Sequence, residues 1–487
     1  MKPLKDILYG VSLTAVIGDT HVMVNAVQFD SRKAAIDDVF VAISGTQVDG
    51  HQFIVNAINA GVKAIVCEVF PEMKVHGITY IKVEDSQKAL AIMAANFYDN
   101  PSKNLKLIGV TGTNGKTTVT TLLYQLFKKS GFKVGVVSTI KIMVDNQEYP
   151  ATHTTPDSLR INHYLDLMSQ EGVEFCFMEV SSHGIDQKRS EGLQFEGAIF
   201  TNLSHDHLDY HKTFAAYRDT KKKLFDALPK TAFALTNADD KNGAIMLQNT
   251  KALKKTYALK SYADYKGQIL ERQLNGQLLK IGDNQLWSKL IGDFNAYNML
   301  SIYAAADILG LEQLETLRLL SELKTVDGRF QHFISKEKIA AIIDYAHTPD
   351  ALKNVLQTIS VLRTGNETVI TVVGCGRDRD KSKRPIMGHI ASAMSNHAIF
   401  TSDNPRSESP AEIIEEMEQG VEAQNIKKVL AIENRRQAIR TACKMANAND
   451  IILIAGKGHE NYQEINGVRT AFDDFKEVKL ALKELNK

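Results

Sequence analysis

Short runs rich in Val, Ile, Leu and Phe return along the chain at 63–69, 105–110, 134–140, 175–180, 198–203, 340–345, 369–374, 398–401 and 451–455, most of them separated by helix-length amphipathic segments. Strands alternating with helices predict α/β architecture with parallel, doubly wound sheets, where ligands sit at the carboxyl ends of the strands. The residues directly after each run are therefore where chemistry is sought. At 487 residues the chain exceeds one ordinary core, and three domains are expected. The first, 1–100, closes at the turn-rich Asp99-Asn100-Pro101-Ser102; the second is 101–330; the third, 331–487, follows the Val326-Asp327-Gly328-Arg329 turn. A polar stretch at 251–289 reads as a β-rich insertion in the middle block.

The 58 Lys and Arg nearly cancel the 57 Asp and Glu, so no broad basic field points to nucleic acid or an anionic membrane, and anionic ligands must be held by local sites. No segment approaches the roughly 20 apolar residues of a membrane span, and the N-terminus lacks a signal-peptide pattern; a soluble, cytoplasmic protein is expected. Cys67, Cys176, Cys375 and Cys443 are far apart, which favours buried thiols over disulfides or zinc.

Immediately after 105–110 comes Thr111-Gly112-Thr113-Asn114-Gly115-Lys116-Thr117-Thr118, followed by a helix-like 119–129. A strand, a glycine-bearing loop, Lys-Thr and a helix together predict a P-loop, whose backbone N–H groups face an anion. In such a cradle Lys116 reaches the β- and γ-phosphates of ATP and the Thr117 hydroxyl binds Mg²⁺. The fuller pattern has Gly where this chain has Val110, so only G-x-x-G-K-T is met.

Two further strand ends carry acids and imidazoles: Glu179-Val180-Ser181-Ser182-His183-Gly184, and Ser204-His205-Asp206-His207-Leu208-Asp209-Tyr210-His211. Mg²⁺ commonly takes one or two carboxylates beside nucleotide phosphates, which suits Glu179; a His/Asp-rich loop is also simply a hydrogen-bonded turn. The run Lys221-Lys222-Lys223 lies on a helix and, on composition alone, reads as a solvated face. In the last block Gly374-Cys375-Gly376-Arg377-Asp378-Arg379-Asp380, Lys383-Arg384-Pro385, Asp403-Asn404-Pro405-Arg406 and Gly456-Lys457-Gly458-His459-Glu460 gather charge after predicted strands. Four such loops at one sheet edge read better as a pocket than as separate turns.

The phosphate loop, Met178-Glu179-Val180-Ser181-Ser182-His183-Gly184, Asp206-His207-Leu208-Asp209-Tyr210-His211, Gly292-Asp293-Phe294-Asn295-Ala296-Tyr297-Asn298, Asp344-Tyr345-Ala346-His347-Thr348-Pro349-Asp350 and Asp403-Asn404-Pro405-Arg406 together resemble the Mur ligases. These are the ATP-dependent amino-acid-adding enzymes of cytoplasmic peptidoglycan synthesis, and the likeness is greatest to the branch that adds meso-diaminopimelate. The resemblance spans nearly the whole chain. It implies a UDP-binding N-terminal domain, a central P-loop ATPase domain and a Rossmann-like C-terminal domain that binds the amino acid.

It also implies site residues. Ser31, Thr154, Thr155, Ser181, Gln187 and Arg189 match positions that hold the UDP-muramyl peptide. Gly112 to Thr118, Asn295, Asn298, Arg329, Asp344 and Tyr345 match those that hold ATP, with His347 beside them. Lys221, four residues before Phe225, matches a carbamylated lysine (N6-carboxylysine); with Thr117, Glu179 and His207 it is expected to hold Mg²⁺, and Lys116, Lys221, Glu179 and His207 form the expected catalytic set. Arg379, Asn404, Pro405, Arg406, Gly456 and Glu460 match the diaminopimelate pocket, in which guanidinium groups clamp the distal carboxylate and an acid takes the distal ammonium.

The implied reaction joins diaminopimelate to the D-glutamate side-chain carboxylate of UDP-N-acetylmuramoyl-L-Ala-D-Glu through an acyl phosphate. The enzyme is expected to be a monomer, with no nucleic-acid partner and no membrane insertion. Lysine or lanthionine as the incoming amino acid stays open, as does a folylpolyglutamate synthetase-like ligase, although that class lacks a comparable first hundred residues. A non-catalytic nucleotide-gated module is the remaining alternative.

Overall fold

The computed structural model describes residues 1–45, 48–376 and 381–487. Among the described residues three large sheets follow one another along the chain, with two small two-stranded ones beside them. The first has the order Leu13–Ile17, Thr79–Val83, Ala64–Cys67, Val39–Val41, Val27–Gln28, parallel except for its first edge strand. The second has eleven strands. Its parallel centre runs Val134–Val137, Phe175–Glu179, Lys106–Thr111, Gly197–Phe200, Phe233–Asn237, Leu253–Ala258.

Antiparallel hairpins close both ends of that sheet. Lys141–Val144 and Gln147–Pro150 finish one edge, and Tyr265–Gln273, Gly276–Ile281 and Asn284–Ser288 extend the other. The stretch expected as an insertion is therefore a continuation of the sheet. It reads as polar because edge hairpins leave one face in water, as the mostly exposed Tyr265–Gln273 does.

The third sheet runs Gln331–Ile334, Ala340–Asp344, Ile451–Ala455, Val369–Val373, His397–Phe400, Val429–Ala431, antiparallel only at Gln331–Ile334. Strands covered on both faces are continuous apolar runs, and every residue of Phe175–Glu179 and Ile451–Ala455 is buried.

Helices on both faces make the sheets doubly wound. On the central sheet, helices Lys116–Lys129 and Asp293–Ile308 bury Val119, Leu122, Leu126, Met299 and Leu300 on one side, while Ser158–Gln170 and Phe214–Asp226 bury Ile161, Leu165, Tyr217 and Phe225 on the other. Each fully buried side chain of this kind contributes about 1.5–3 kcal/mol. Helix bodies anchored so firmly leave their amino ends fixed at the sheet's carboxyl edge. All four cysteines are buried and free, and desolvation pushes the Cys67 thiol up to about 11. Among the described residues no helix is long and apolar enough to cross a membrane.

Candidate functional site

Strand Lys106–Thr111 delivers the chain into the loop 112–115, and helix Lys116–Lys129 starts directly after it. Val110 is a fully buried strand residue in register with Glu179 and Ile199, so the turn begins only at Gly112. Glycine is required at both bends. At Gly112, φ is +150° and a Cβ would stand 2.0 Å from Thr201 Oγ1; at Gly115, φ is +89° and a Cβ would stand 2.6 Å from Asn298 Oδ1.

The loop is held by the two residues that follow strand Gly197–Phe200. Thr201 Oγ1 and Asn202 Nδ2 both donate to Asn114 O, at 2.6 and 3.1 Å, and Asn114 N donates to Asn202 Oδ1 at 3.0 Å. Neither Thr201 nor Asn202 was singled out from the sequence. A polar pair directly after a central strand was the available signal.

Lys116 Nζ donates to Gly112 O and Thr113 O, at 3.0 and 2.9 Å, and Lys221 Nζ donates to the same Gly112 O at 2.9 Å. Two lysines thus meet on one carbonyl inside the protein. Burial lowers the pKa of both, and at Lys221 repulsion from Lys116 adds to a shift well below the usual lysine range. The lysine run is accordingly no solvated face: Lys221 and Lys222 are buried and Lys223 alone is exposed.

Glu179 is fully buried and accepts from Thr139 N and Oγ1, at 2.8 and 3.2 Å. Thr117 Oγ1 accepts from Arg329 Nη2 at 3.0 Å, and that guanidinium lies 4.6 Å from the Tyr345 ring centre. His207 takes a left-handed φ of +54°, with Nε2 3.4 Å from Asp206 Oδ2 and its ring 4.8 Å from that of His183. Among the described residues no group of three His, Cys, Asp or Glu is placed to hold a metal. Of the expected set Thr117, Glu179, His207 and Lys221, only Glu179 and His207 are groups of that kind.

Beside the loop a pocket is lined by Asn114, Gly115, Thr118, Asn298, Arg329, Asp344, Tyr345 and His347, and a cavity of 700 Å³ adjoins it, sharing Asn114, Asn202, Phe294 and Asn298. Asp344 accepts from Phe330 N at 2.7 Å, and burial pushes its carboxyl up to about 6. Asn295 lies outside this lining: its Nδ2 donates to Ile291 O at 2.9 Å and its Oδ1 accepts from Asn298 Nδ2 at 3.2 Å. It positions Asn298.

A second large cavity, 760 Å³, lies between the first and central sheets, with Asp30, Ser31 and Arg32 on one wall and His153, Asp157, Gln187 and Arg189 on the other. Arg189 is aimed by its own bonds, Nη1 to Thr155 O at 2.6 Å and Nη2 to Gln187 Oε1 at 2.6 Å. Thr154, Thr155 and Ser181 interlock behind this wall instead of lining it: Thr155 Oγ1 donates to Glu179 O at 2.9 Å and accepts from Ser181 N at 2.9 Å, and Thr154 Oγ1 accepts from Thr139 Oγ1 at 3.1 Å.

The four charged stretches of the last block converge on a pocket lined by Tyr345, His347, Cys375, Gly376, Lys383, Asp403, Asn404, Arg406, Gly456 and Glu460. Lys383 comes from the first turn of helix Lys383–Met394 rather than from a strand end. Arg379 lies outside the described residues. Arg406, half-buried, is held at φ +48° by a bond from its N to Glu464 O at 3.1 Å, while Pro405 is buried and lies outside the lining.

Lys457, fully buried and given no role of its own in the sequence reading of Gly456 to Glu460, donates to Asn404 Oδ1 at 3.1 Å and Glu460 Oε2 at 2.9 Å, and Asn404 Nδ2 donates to the same Oε2 at 2.7 Å. One oxygen of Glu460 is thereby spent on orientation. Asp403, 3.9 Å from the Lys457 ammonium, is pushed up to about 6 by burial.

Family models match in the same order: Mur ligase family, catalytic domain, at 23–98; Mur ligase middle domain at 110–306; and Mur ligase, glutamate ligase domain, at 328–458. A Cytophaga hutchinsonii protein named UDP-N-acetylmuramoyl-L-alanyl-D-glutamate--2,6-diaminopimelate ligase is 51% identical over 483 residues, covering 99% of this chain and 98% of that one. A solved structure of a protein with that name superposes with a TM-score of 0.69 at 32% identity, covering 100% of this chain and 99% of the other. A solved folylpolyglutamate synthase from Thermotoga maritima shares the fold over 75% of this chain and 89% of its own, with a TM-score of 0.59 and 14% identity. With three family domains matched in order and a half-identical relative along its whole length, the chain belongs to the Mur ligase family.

Proposed function

We propose that the protein joins meso-diaminopimelate to the D-glutamate side-chain carboxylate of UDP-N-acetylmuramoyl-L-Ala-D-Glu, using ATP and passing through an acyl phosphate, in the cytoplasm and as a monomer. The observation that carries this reading is convergence. Tyr345 and His347 line both the phosphate-loop pocket and the charged pocket of the last sheet, and the wall of the third cavity is built on Glu179's own neighbours. Two ligand spaces thus share a wall, and the third backs onto the strand that carries Glu179. In this reading 1–100 holds the uridine end at Ser31, 101–330 holds ATP and the peptide, and 331–487 holds the amino acid.

Lys116 and the amino end of helix Lys116–Lys129 take the β- and γ-phosphates, and Arg329, Asp344, Tyr345 and Asn298 take the rest of the nucleotide. Gln187 and Arg189 orient the muramyl peptide so that one carboxylate oxygen attacks the γ-phosphorus and ADP leaves. The amine of diaminopimelate then attacks the acyl carbon, a proton is lost from nitrogen, and phosphate departs with the carboxylate oxygen. Positioning and charge neutralisation do most of this work.

The pair of lysines at Gly112 explains how a divalent cation would be held. Burial, and then repulsion from Lys116, disfavours the ammonium form of Lys221; in its amine form the nitrogen adds to the carbon of CO₂, loses a proton and becomes a carbamate. Lys221 then offers oxygen where it had an ammonium, and with Thr117, Glu179 and His207 the donors suit a hard cation such as Mg²⁺. When bound, that ion supplies charge neutralisation of the transferring phosphoryl group.

In the amino-acid pocket Arg406, with Arg379, is proposed to clamp the distal carboxylate and Glu460 to take the distal ammonium. Lysine has no such carboxylate for the clamp to meet, a mismatch that discriminates by up to ~10⁴. Phosphate release with ATP, Mg²⁺ and UDP-N-acetylmuramoyl-L-Ala-D-Glu is expected with diaminopimelate and not with L-lysine. Turnover with lysine would overturn the clamp, and silence with both would overturn the ligase.

A further inference from the structure

Lys383 and Asp206 form an ion pair of 2.6 Å, with side chains 8% and 7% exposed, between residues 177 apart in sequence. Asp206 belongs to the loop that follows strand Gly197–Phe200 of the central sheet. Lys383 opens helix Lys383–Met394 of the third sheet and lines the amino-acid pocket. Asp206 Oδ1 also accepts from His207 N at 2.9 Å, and its Oδ2 lies 3.4 Å from His207 Nε2. One carboxylate therefore grips both the pocket wall and the residue expected at the phosphate site.

Local structure does not account for Lys383. A cation in the first turn of a helix opposes the helix dipole, Arg384 stands next to it, and that turn has no acid of its own. Arg384 finds partners within its own unit, Glu408 and Glu416 at 3.0 and 2.7 Å, whereas Lys383 reaches across to the other sheet. A desolvated pair is a poor source of stability, because the cost of stripping water from both charges rivals the attraction; fixing one arrangement is its better-attested use.

We propose that Lys383 is a positioning residue for the ligation. Through Asp206 it locks the 204–211 loop, and with it His207, against the amino-acid pocket, so that the phosphate site and the pocket of the incoming amine are tied together by a direct contact between the two sheets. This rests on the ligase reading of the same centre. Asp206 and Lys383 touch no substrate in this scheme; they set the distance between groups that do, and a misplacement of about 1 Å costs on the order of 100-fold in rate.

The informative variant is the double replacement Asp206→Asn with Lys383→Met, because removing both charges avoids the uncompensated buried ion that a single replacement leaves. It is expected to keep a melting temperature within a few degrees of the parent and a KM for ATP within about threefold, while kcat falls on the order of 100-fold. A double variant with kcat within about threefold of the parent, or one whose loss falls on the KM for ATP instead, would overturn the proposal. Failure of the parent itself to turn over would instead count against the ligase reading.

Discussion

Lys221 shows what a residue means only once its surroundings are known. In the sequence it is the first of three lysines; in the structure it lies against Gly112 O and 4.8 Å from the Tyr217 ring centre, and burial, then repulsion from Lys116, leaves its ammonium disfavoured. Lys221→Ala is expected to lower kcat by on the order of 10³-fold or more, as loss of a cation-holding group at a phosphoryl-transfer centre does. The parent in ¹³C-bicarbonate should show a carbamate resonance that the variant lacks. A variant with parental turnover, or a resonance common to both, would contradict the carbamate.

Residues whose placement follows from local pattern were legible: the glycines and Lys-Thr between a strand and a helix, and Glu179 at a strand end. Residues whose roles depend on a distant partner were not. Lys457 acts through Asn404 and Glu460, Asp206 through Lys383, and Asn295 turns out to hold Asn298; no spacing in the chain announces such pairings.

At the scale of elements, periodicity located the strands well because those covered on both faces are uninterrupted apolar runs. Their ends were less legible. The run 134–140 was read as one strand, but Val134–Val137 stops where Ser138 N and Oγ bond back to Lys141 O, at 3.1 and 2.9 Å, and Lys141–Val144 starts a hairpin. The hairpins at 265–288 were recognised as β-rich but not as sheet, since pairing partners outside a segment leave no trace within it.

Helix Lys383–Met394 illustrates how tightly elements must approach to place the site. At Gly388 an added Cβ would stand 1.9 Å from Met417 O, in the neighbouring helix Pro410–Glu418. Gly388→Ala must push the two helices apart or bend one, and a loss of on the order of 3 kcal/mol is expected. Thermal unfolding checks this; a melting temperature equal to the parent's would mean that the helices yield at no cost. Because Lys383 heads this helix, the displacement should also weaken activity.

For the whole molecule, alternation of strands and helices predicted doubly wound sheets, and the family likeness supplied three units and their order. What neither could give is how the units face one another. The bond from Arg329 to Thr117, the pair between Lys383 and Asp206, and the bond from Asn114 Nδ2 to Asp350 Oδ2 at 3.2 Å join residues 177 to 236 apart in sequence, and only the folded chain brings them together. These contacts bring the phosphate loop and the 204–211 loop up against the last sheet.

In the proposed reaction the carboxylate oxygen, and not water, receives the γ-phosphoryl group. The most direct test is to run the reaction on UDP-N-acetylmuramoyl-L-Ala-D-Glu labelled with ¹⁸O in the D-glutamate side-chain carboxylate and weigh the released phosphate. Transfer of a single ¹⁸O into each phosphate, with the other kept in the new amide, is the predicted result. Unlabelled phosphate beside ligated product would mean that no acyl phosphate forms, and the mechanism built on this site would be wrong.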